Sequence, residues 1–184
     1  MIIVSKEILR KTLINLRRIN YLEEGIDFSL LKKILNKLNL KKNKIIGGYY
    51  PINSEIECLS ILNKLEKKNF KISLPKTKKN SKMDFYEWSS NDILKISKQG
   101  IPEPYKKNKV IPDVLIVPLV GFDRKKFRLG YGGGYYDRYI GKIQKFKKIL
   151  TIGFAFSFQE IETFPINKFD QKLDFILTNK GIIK

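Results

Sequence analysis

The stretch VLIVPLVGFDRKKFRLGYGGGYYDRY, residues 114–139, decides the fold of this chain. It begins with an unbroken apolar run at residues 114–117, which is typical of a strand buried on both faces. Pro118 has no N–H to donate to a neighbouring strand, so the strand is expected to end there. A charged loop, four closely spaced glycines and the first turn of a helix follow. This order predicts a central strand that leads through a loop into a helix.

The glycines of this stretch allow two interpretations. Glycine accepts positive φ and close contact with a ligand, and its free amides can form an anion-binding nest beside a helix N-terminus. The plainer alternative is a flexible turn between strand and helix, because short glycine motifs often occur by chance. Two known phosphate loops are excluded. No Lys-Ser or Lys-Thr pair completes a Walker A motif, and Tyr135 stands where G-x-G-x-x-G has its last glycine.

The charges that flank the glycines favour the phosphate interpretation. Arg128 precedes the glycines, and a guanidinium group binds phosphate through paired hydrogen bonds. Asp137 follows them, and a carboxylate is a common protein ligand of Mg²⁺ in nucleotide sites. The two side chains and the glycines together predict a site for a magnesium-bound polyphosphate.

These residues also carry a family resemblance. FD at residues 122–123 and RLGYGGGYYDR at residues 128–138 closely resemble the signature loop of the 5-formyltetrahydrofolate cyclo-ligase family. The signature is long and mixed in residue type, which makes a chance match rare. The chain is similar to the family again at Lys6 and Arg10, a K-x-x-x-R pair, and at GIPEP, residues 100–104.

The resemblance implies a reaction. It is the ATP-dependent cyclisation of 5-formyltetrahydrofolate to 5,10-methenyltetrahydrofolate, with release of ADP and phosphate. The formyl oxygen would be phosphorylated, and N10 would then attack the activated carbon. ATP and Mg²⁺ are the implied cofactors, and the folate is expected to carry a polyglutamate tail in some forms. Positioning and charge neutralisation suffice for such chemistry, which agrees with a chain that contains no histidine.

The resemblance also implies a set of site residues. Those expected to bind ATP are Lys6, Arg10, Arg128, Gly130, Gly132, Gly133, Gly134, Tyr136 and Asp137. Those expected to bind the folate are Tyr50, Glu55, Tyr131 and Tyr135. Arg128 and Tyr135 are expected to act in catalysis, and Asp137 and Asp170 to ligate Mg²⁺.

Some of these residues also suit purely structural roles. Lys6 and Arg10 lie four apart on a predicted helix, where such charges usually form a solvated basic face. Glu55 suits the first turn of a helix that Ser54 would cap. The stretch YPINSE, residues 50–55, is one residue tighter than the family's Y-x-P-x-x-x-E pattern, and what matches is the acid five positions after Tyr50. Where the family has a histidine before Asp170, this chain has phenylalanine.

Composition limits the other classes of function. The absence of histidine excludes imidazole catalysis, and a single cysteine, Cys58, excludes an intrachain disulfide or a cysteine zinc site. The net charge of +19 indicates polyanionic partners, but the lysines are scattered, so no specific nucleic acid is expected. Two alternatives stay open. One is a basic nucleic-acid-binding protein without catalysis, and the other is a family member that acts on a different formylated compound.

The periodicity of apolar residues predicts the fold. Helices are predicted at residues 5–22, 28–40, 56–68 and 137–147, and strands at 44–50, 71–75, 83–88, 114–117, 149–156 and 175–178. Their alternation predicts an α/β fold, a Rossmann-like single domain over residues 1–184 with three layers, αβα, in which helices cover both faces of a mainly parallel sheet. Residues 76–110 are expected to form a flap over the cleft. With no apolar run near the roughly 20 residues of a membrane span and no signal-peptide pattern, a cytoplasmic monomer is expected.

Overall fold

The computed structural model describes residues 5–20, 25–78, 82–105 and 108–184. Its α-helices within these ranges are α1 (Lys6–Ile19), α2 (Phe28–Lys37), α3 (Leu59–Glu66) and α4 (Tyr135–Ile143). Its strands are β1 (Ile45–Gly47), β2 (Lys71–Lys78), β3 (Lys82–Trp88), β4 (Leu94–Ile96), β5 (Pro102–Pro104), β6 (Lys109–Val110), β7 (Val114–Pro118), β8 (Gly121–Phe122), β9 (Arg128–Leu129), β10 (Leu150–Ala155), β11 (Phe175–Thr178) and β12 (Gly181–Ile183). No helix of the described ranges is long and apolar enough to cross a membrane.

The main sheet has eight strands in the order β12-β11-β10-β7-β1-β2-β3-β6. The strands from β11 to β2 run parallel, and the antiparallel strands lie towards the two edges. From β1 the chain crosses through α3 to β2 on one side, and from β7 it crosses through α4 to β10 on the other. The winding direction therefore reverses between β1 and β7. In α/β sheets, ligands bind beyond the carboxyl ends of the strands at such a point.

Strand β7 separates the two layers of helices. Val114 and Ile116 pack with α2 and α3 on one face, whereas Leu115 and Val117 pack with α4 on the other. All four side chains are fully buried, which is what an apolar run without alternation predicts. The three-layer α/β fold predicted from the sequence is confirmed.

Strand β2 continues past Pro75, where the sequence analysis expected it to end. The Ser73 carbonyl accepts a hydrogen bond from the Gly48 amide, so the backbone groups of Ser73 point towards β1. Since alternate residues of a strand point the same way, the nitrogen of Pro75 also faces that side. Strand β1 has already ended at Gly47, opposite Ser73, so the missing N–H of proline breaks no hydrogen bond.

Helix α3 begins later than expected, and Ser54 does not cap it. Asn53 and Ser54 both have positive φ, 48° and 59°, and form a tight turn before the helix. The Glu57 carboxylate accepts hydrogen bonds from the amides of Leu59 (2.7 Å) and Ser60 (2.8 Å), and so takes the capping role. The prediction for Ser54 is wrong because the turn moves the start of the helix from residue 56 to Leu59.

Part of the segment predicted as a flap belongs to the main sheet. Residues 76–78 and 82–88 belong to the main sheet as parts of β2 and β3, which pair from Ile72 to Lys78. The part that leaves the sheet is the β4–β5 hairpin, whose strands pair over residues 94–104. The end predicted for the first helix, near residue 22, and the tip of the β2–β3 connection lie outside the described residues.

Gly48 provides a test of the packing between the sheet and α3. A Cβ atom at this position would lie 2.5 Å from Cδ1 of the fully buried Leu62. We expect Gly48→Ala to lower the free energy of unfolding by about 2 kcal/mol, because overpacking forces the core to shift. Urea denaturation measures this change. Gly25→Ala is the control, since its Cβ would have no neighbour within 4 Å. Equal stability of the two variants would contradict the packing described here.

Candidate active site

A cavity of about 710 Å³ lies beyond the carboxyl ends of β1 and β7. It has the size of a small-molecule site and lies at the reversal of the sheet winding. Its lining includes every site residue expected from the sequence: Lys6, Arg10, Tyr50, Glu55, Arg128, Gly130, Tyr131, Gly132, Gly133, Gly134, Tyr135, Tyr136, Asp137 and Asp170. Residues far apart in the chain thus meet around one space.

The glycine loop forms one wall of this cavity and leads directly into α4. Gly132 has φ of 102° and Gly134, the N-cap of α4, has φ of 62°, so both adopt conformations that side chains rarely tolerate. A Cβ atom on Gly132 would also lie 3.4 Å from the guanidinium carbon of Arg10. The glycines are required because the backbone turns tightly while a basic side chain passes close by.

Helix α1 places two basic side chains on the same wall. The Arg10 Nε atom donates a hydrogen bond of 2.7 Å to the Gly130 carbonyl. The Lys6 ammonium lies 2.5 Å from a carboxylate oxygen of Asp170, and both side chains are largely buried. Lys6 and Arg10 therefore do not form the solvated basic face that was the structural alternative for them. These two residues connect α1 to the glycine loop and to the segment before β11.

An ion pair joins the two ends of the glycine loop. Arg128 is buried, and its Nη2 atom lies 2.7 Å from a carboxylate oxygen of Asp137. Its guanidinium carbon also lies 5.5 Å from the ring centre of Tyr136. In the described ranges, the Nε atom of Arg128 has no hydrogen-bond partner. This atom leaves Arg128 a buried donor for a further acceptor.

The two acids expected to ligate Mg²⁺ lie close together. The other carboxylate oxygen of Asp137 accepts a hydrogen bond of 3.1 Å from the Gln171 amide, next to Asp170. Among the described residues, no group of three or more acidic, histidine or cysteine side chains could hold a metal ion by itself. Mg²⁺ in nucleotide sites commonly takes one or two carboxylates and completes its shell with phosphates and water. The donors therefore fit a metal that arrives with a phosphate ligand.

Glu55 is contributed to the cavity wall by the turn after β1. Its side chain is buried, with 5% of its surface exposed, and it accepts a hydrogen bond of 2.9 Å from the Ile52 amide. Burial raises the pKa of Glu55 to about 7, although the Ile52 amide, the Arg17 charge and the Tyr131 hydroxyl act in the opposite direction. The carboxyl group therefore titrates near neutral pH. Such a group can accept hydrogen bonds from a bound ring when it is ionised.

Phe169 stands where the family histidine was expected. It is 68% exposed at the rim of the cavity. Asp170 is oriented without an imidazole, because the same carboxylate oxygen contacts Lys6 and accepts a hydrogen bond of 2.8 Å from the Asn167 amide. The substitution therefore leaves the position of Asp170 well determined.

Sequence reasoning missed two parts of the site. The first is Arg17, which is fully buried and bound to Tyr131 through its guanidinium group. Its signal was available, since it follows Leu13 by four positions and so lies on the apolar side of α1. The second comprises Gln99 and Glu103, which the β4–β5 hairpin contributes to the cavity lining. The sequence predicted a flap over the cleft in this segment, but nothing in the types of these two residues marked them as part of the site.

The comparisons with known proteins point to one family. The model of the 5-formyltetrahydrofolate cyclo-ligase family matches residues 2–179. A relative from Haemophilus influenzae, named 5-formyltetrahydrofolate cyclo-ligase, is 31% identical over 156 residues, which cover 81% of this chain and 83% of the relative. Another of the same name, from Mycoplasma genitalium, is 30% identical over 180 residues and covers 96% of this chain and 99% of the relative.

Solved structures show the same fold. The NMR structure of Aquifex aeolicus 5,10-methenyltetrahydrofolate synthetase has a TM-score of 0.77 and 30% identity, and the match covers 97% of this chain and 92% of that one. The Mycoplasma pneumoniae 5,10-methenyltetrahydrofolate synthetase has a TM-score of 0.71 and 26% identity, covering 96% of this chain and 99% of that one.

The raised pKa of Glu55 predicts how stability depends on pH. Between the ordinary glutamate pKa of 4.5 and about 7, the folded protein holds this proton more tightly than the unfolded chain does. The free energy of unfolding should therefore lose a contribution of about 3 kcal/mol as pH rises through this window, and stay level above it. Urea denaturation at several pH values, compared with Glu55→Gln, measures the contribution.

The control for this prediction is Glu162→Gln, which removes an exposed carboxyl group elsewhere. We expect the control to keep the wild-type pH dependence and Glu55→Gln to lose part of it. If Glu55→Gln kept the same slope between pH 4.5 and 7 as wild type, the carboxyl group would not be buried as described.

Proposed function

Because the chain belongs to the 5-formyltetrahydrofolate cyclo-ligase family, we propose that it converts 5-formyltetrahydrofolate to 5,10-methenyltetrahydrofolate with hydrolysis of ATP to ADP and phosphate. The observation that carries this proposal is the arrangement of the cavity. The cavity is lined by a glycine loop with basic side chains and by a buried carboxyl group with aromatic neighbours. These two sets of groups suit a polyphosphate and a polar ring system held together.

The nucleotide end of the cavity comprises the glycine loop and the cations around it. Lys6, Arg10 and Arg128 would neutralise the phosphates, and the amides at the start of α4 would donate hydrogen bonds to them. The unpartnered Nε atom of Arg128 supports this role, since a phosphate oxygen would give it an acceptor. Tyr136 would pack beside Arg128, where its ring already lies. These residues are the proposed ATP ligands, together with Gly130, Gly132, Gly133 and Gly134.

Mg²⁺ would be held by Asp137 and Asp170 when it arrives with the nucleotide. It would supply charge neutralisation at the phosphate oxygens during transfer. Both carboxylates are paired with cations, Asp137 with Arg128 and Asp170 with Lys6. The same cations are the proposed phosphate ligands, so nucleotide binding would release the two carboxylates as it engages their partners.

The folate end of the cavity comprises Tyr50, Glu55, Tyr131 and Tyr135. Ionised Glu55 would accept hydrogen bonds from N–H groups of the pterin ring, and the aromatic side chains would pack against the ring. Tyr135 follows the glycine loop directly and lines the cavity, so it would lie near both substrates. This position supports its proposed role in closing the cavity at the reacting atoms.

The reaction would proceed in two steps. The formyl oxygen attacks the γ-phosphorus, so that a C–O–P linkage forms and ADP leaves. N10 then attacks the formyl carbon, the C–O bond breaks with loss of phosphate, and the N10 proton passes to solvent. Arg128 would stabilise the charge that develops on the transferred phosphoryl group. The protein contributes position and charge, and none of its side chains forms a bond to substrate.

The expectations of a cytoplasmic location and a monomeric state stay predictions. Some of the lysines form ion pairs within the fold. Asp84, for example, pairs with Lys78 at 2.8 Å and with Lys109 at 2.7 Å. The positive charge that is left would attract an anionic polyglutamate tail on the folate.

Substitution of Arg128 tests the proposed function. We expect Arg128→Ala to lower kcat for methenyltetrahydrofolate formation by about 100-fold or more, because a preorganised cation at the phosphoryl group is lost. Absorbance of the methenyl product with MgATP and 5-formyltetrahydrofolate measures the rate. Arg124→Ala is the matched control, because Arg124 lies in the same loop but is exposed and pairs with Glu160. A wild-type protein that forms no methenyl product would overturn the proposal.

The polyglutamate proposal predicts a dependence on salt. We expect the KM for a polyglutamylated 5-formyltetrahydrofolate to rise with ionic strength, because screening weakens attraction between exposed charges. The monoglutamate form should show a smaller rise and serves as the control. A polyglutamate KM that is independent of ionic strength would contradict the idea.

A further inference from the structure

We propose that Arg17 is a positioning residue for the folate half of the cavity, where it holds the Tyr131 hydroxyl and the turn before Glu55 at a fixed spacing. The inference rests on the proposed function, because it concerns how that site binds its second substrate. Arg17 does not line the cavity itself. It therefore acts through the residues that do.

The guanidinium group of Arg17 connects three separate segments. Its Nε atom donates to the Asn53 carbonyl at 2.9 Å, and its Nη1 atom donates to the Leu119 carbonyl at 3.1 Å. Its Nη2 atom donates to the Tyr131 hydroxyl, and the guanidinium carbon lies 5.7 Å from the centre of the Tyr131 ring. One side chain of α1 thus binds the turn after β1, the end of β7 and the glycine loop.

The burial of Arg17 makes these contacts specific. Only 1% of its surface is exposed, and a buried guanidinium is stable only where its donors find acceptors in a fixed geometry. Tyr131 is 38% exposed because its ring lines the cavity, whereas its hydroxyl is held at Arg17. The arginine therefore determines where the hydroxyl end of this ring lies, while the face of the ring stays open to a ligand.

The same guanidinium also acts on Glu55. The titratable groups that face this carboxyl group are Arg17 from α1, Tyr131 from the glycine loop, Tyr136 from α4, and Tyr49 and Cys58 before α3. Arg17 supplies the positive charge among them. The Tyr131 hydroxyl also lowers the pKa of Glu55, so the guanidinium acts on this carboxyl group both directly and through the tyrosine that it holds.

The nucleotide end is held by other contacts. Arg10 binds the Gly130 carbonyl, and the Arg128–Asp137 pair closes the glycine loop. None of these bonds involves Arg17. A change at Arg17 should therefore affect the folate more than the nucleotide, whereas a general loss of structure would affect both.

Arg17→Lys is the main test variant, with Arg18→Gln, an exposed neighbour on α1, as the control. Lysine keeps the positive charge, but its single ammonium nitrogen cannot bind all three acceptors that the planar guanidinium group reaches. We expect the KM for 5-formyltetrahydrofolate to rise about tenfold, with the KM for ATP near its wild-type value. The control should match wild type for both substrates. An equal rise in both KM values, or an unchanged folate KM, would overturn the proposal.

The pH profile separates the charge of Arg17 from its geometry. Arg17→Gln removes the cation that lowers the pKa of Glu55, so the acid limb of kcat/KM for the folate should move to higher pH by about one unit. Arg17→Lys should leave the limb where it is in wild type. The Gln159 amide also donates to the Leu119 carbonyl, at 3.2 Å, so this acceptor keeps a partner in both variants. Acid limbs that coincide in Arg17→Gln and wild type would count against the proposal.

Tyr131→Phe provides a test even if the Arg17 variants do not fold. It keeps Arg17 bound to both carbonyls and removes only the hydroxyl. Its folate KM should rise while its ATP KM stays unchanged, and its effect combined with Arg17→Lys should be less than additive. Full additivity would overturn the link through Tyr131.

Calorimetric binding of 5-formyltetrahydrofolate distinguishes a failure of the proposed function from a failure of the Arg17 inference. If wild type neither binds nor cyclises it, the proposed function fails. If wild type does both while Tyr131→Phe is unaffected, only the Arg17 inference fails.

Discussion

The burial of β7 on both faces is the constraint on which the rest of the structure depends. Strands β1 and β10 pair with its two edges, and helices cover both of its faces. A strand in this position tolerates no unpaired polar group, so polar side chains must come after it. The chain leaves the sheet at Pro118 and reaches the glycine loop only after the β8–β9 hairpin. The location of the cavity therefore follows from the burial of one strand.

The sequence predicted those parts of the fold and the site that depend on local patterns. The apolar run of β7, the glycines and the start of α4 are each visible within a few residues, and they lie together in space. The capping of α3 by Glu57 was missed, because the positive φ of Asn53 and Ser54 cannot be read from residue types that also suit a cap. Arg17 was missed because its three acceptors come from segments 36 to 114 residues away.

The electrostatics of the cavity differ from what the net charge alone suggests. A charge of +19 spread along the chain does not locate a site. Lys6 and Arg128 are instead distinguished by their burial and by the carboxylates beside them. Because both pairs are largely buried, their members interact more strongly than exposed ion pairs do. Position within the fold, more than the number of charges, gives these residues their proposed roles.

The part of β2 beyond Ser73 affects how readily two molecules could associate through their sheet edges. Beyond Ser73 the strand is no longer paired to β1, so one of its edges could serve as a template for a strand of another molecule. Pro75 removes a donor from that edge, which makes the edge a poorer template for pairing. A proline that predicted the end of a strand thus lies within it and leaves its unpaired edge one hydrogen-bond donor short.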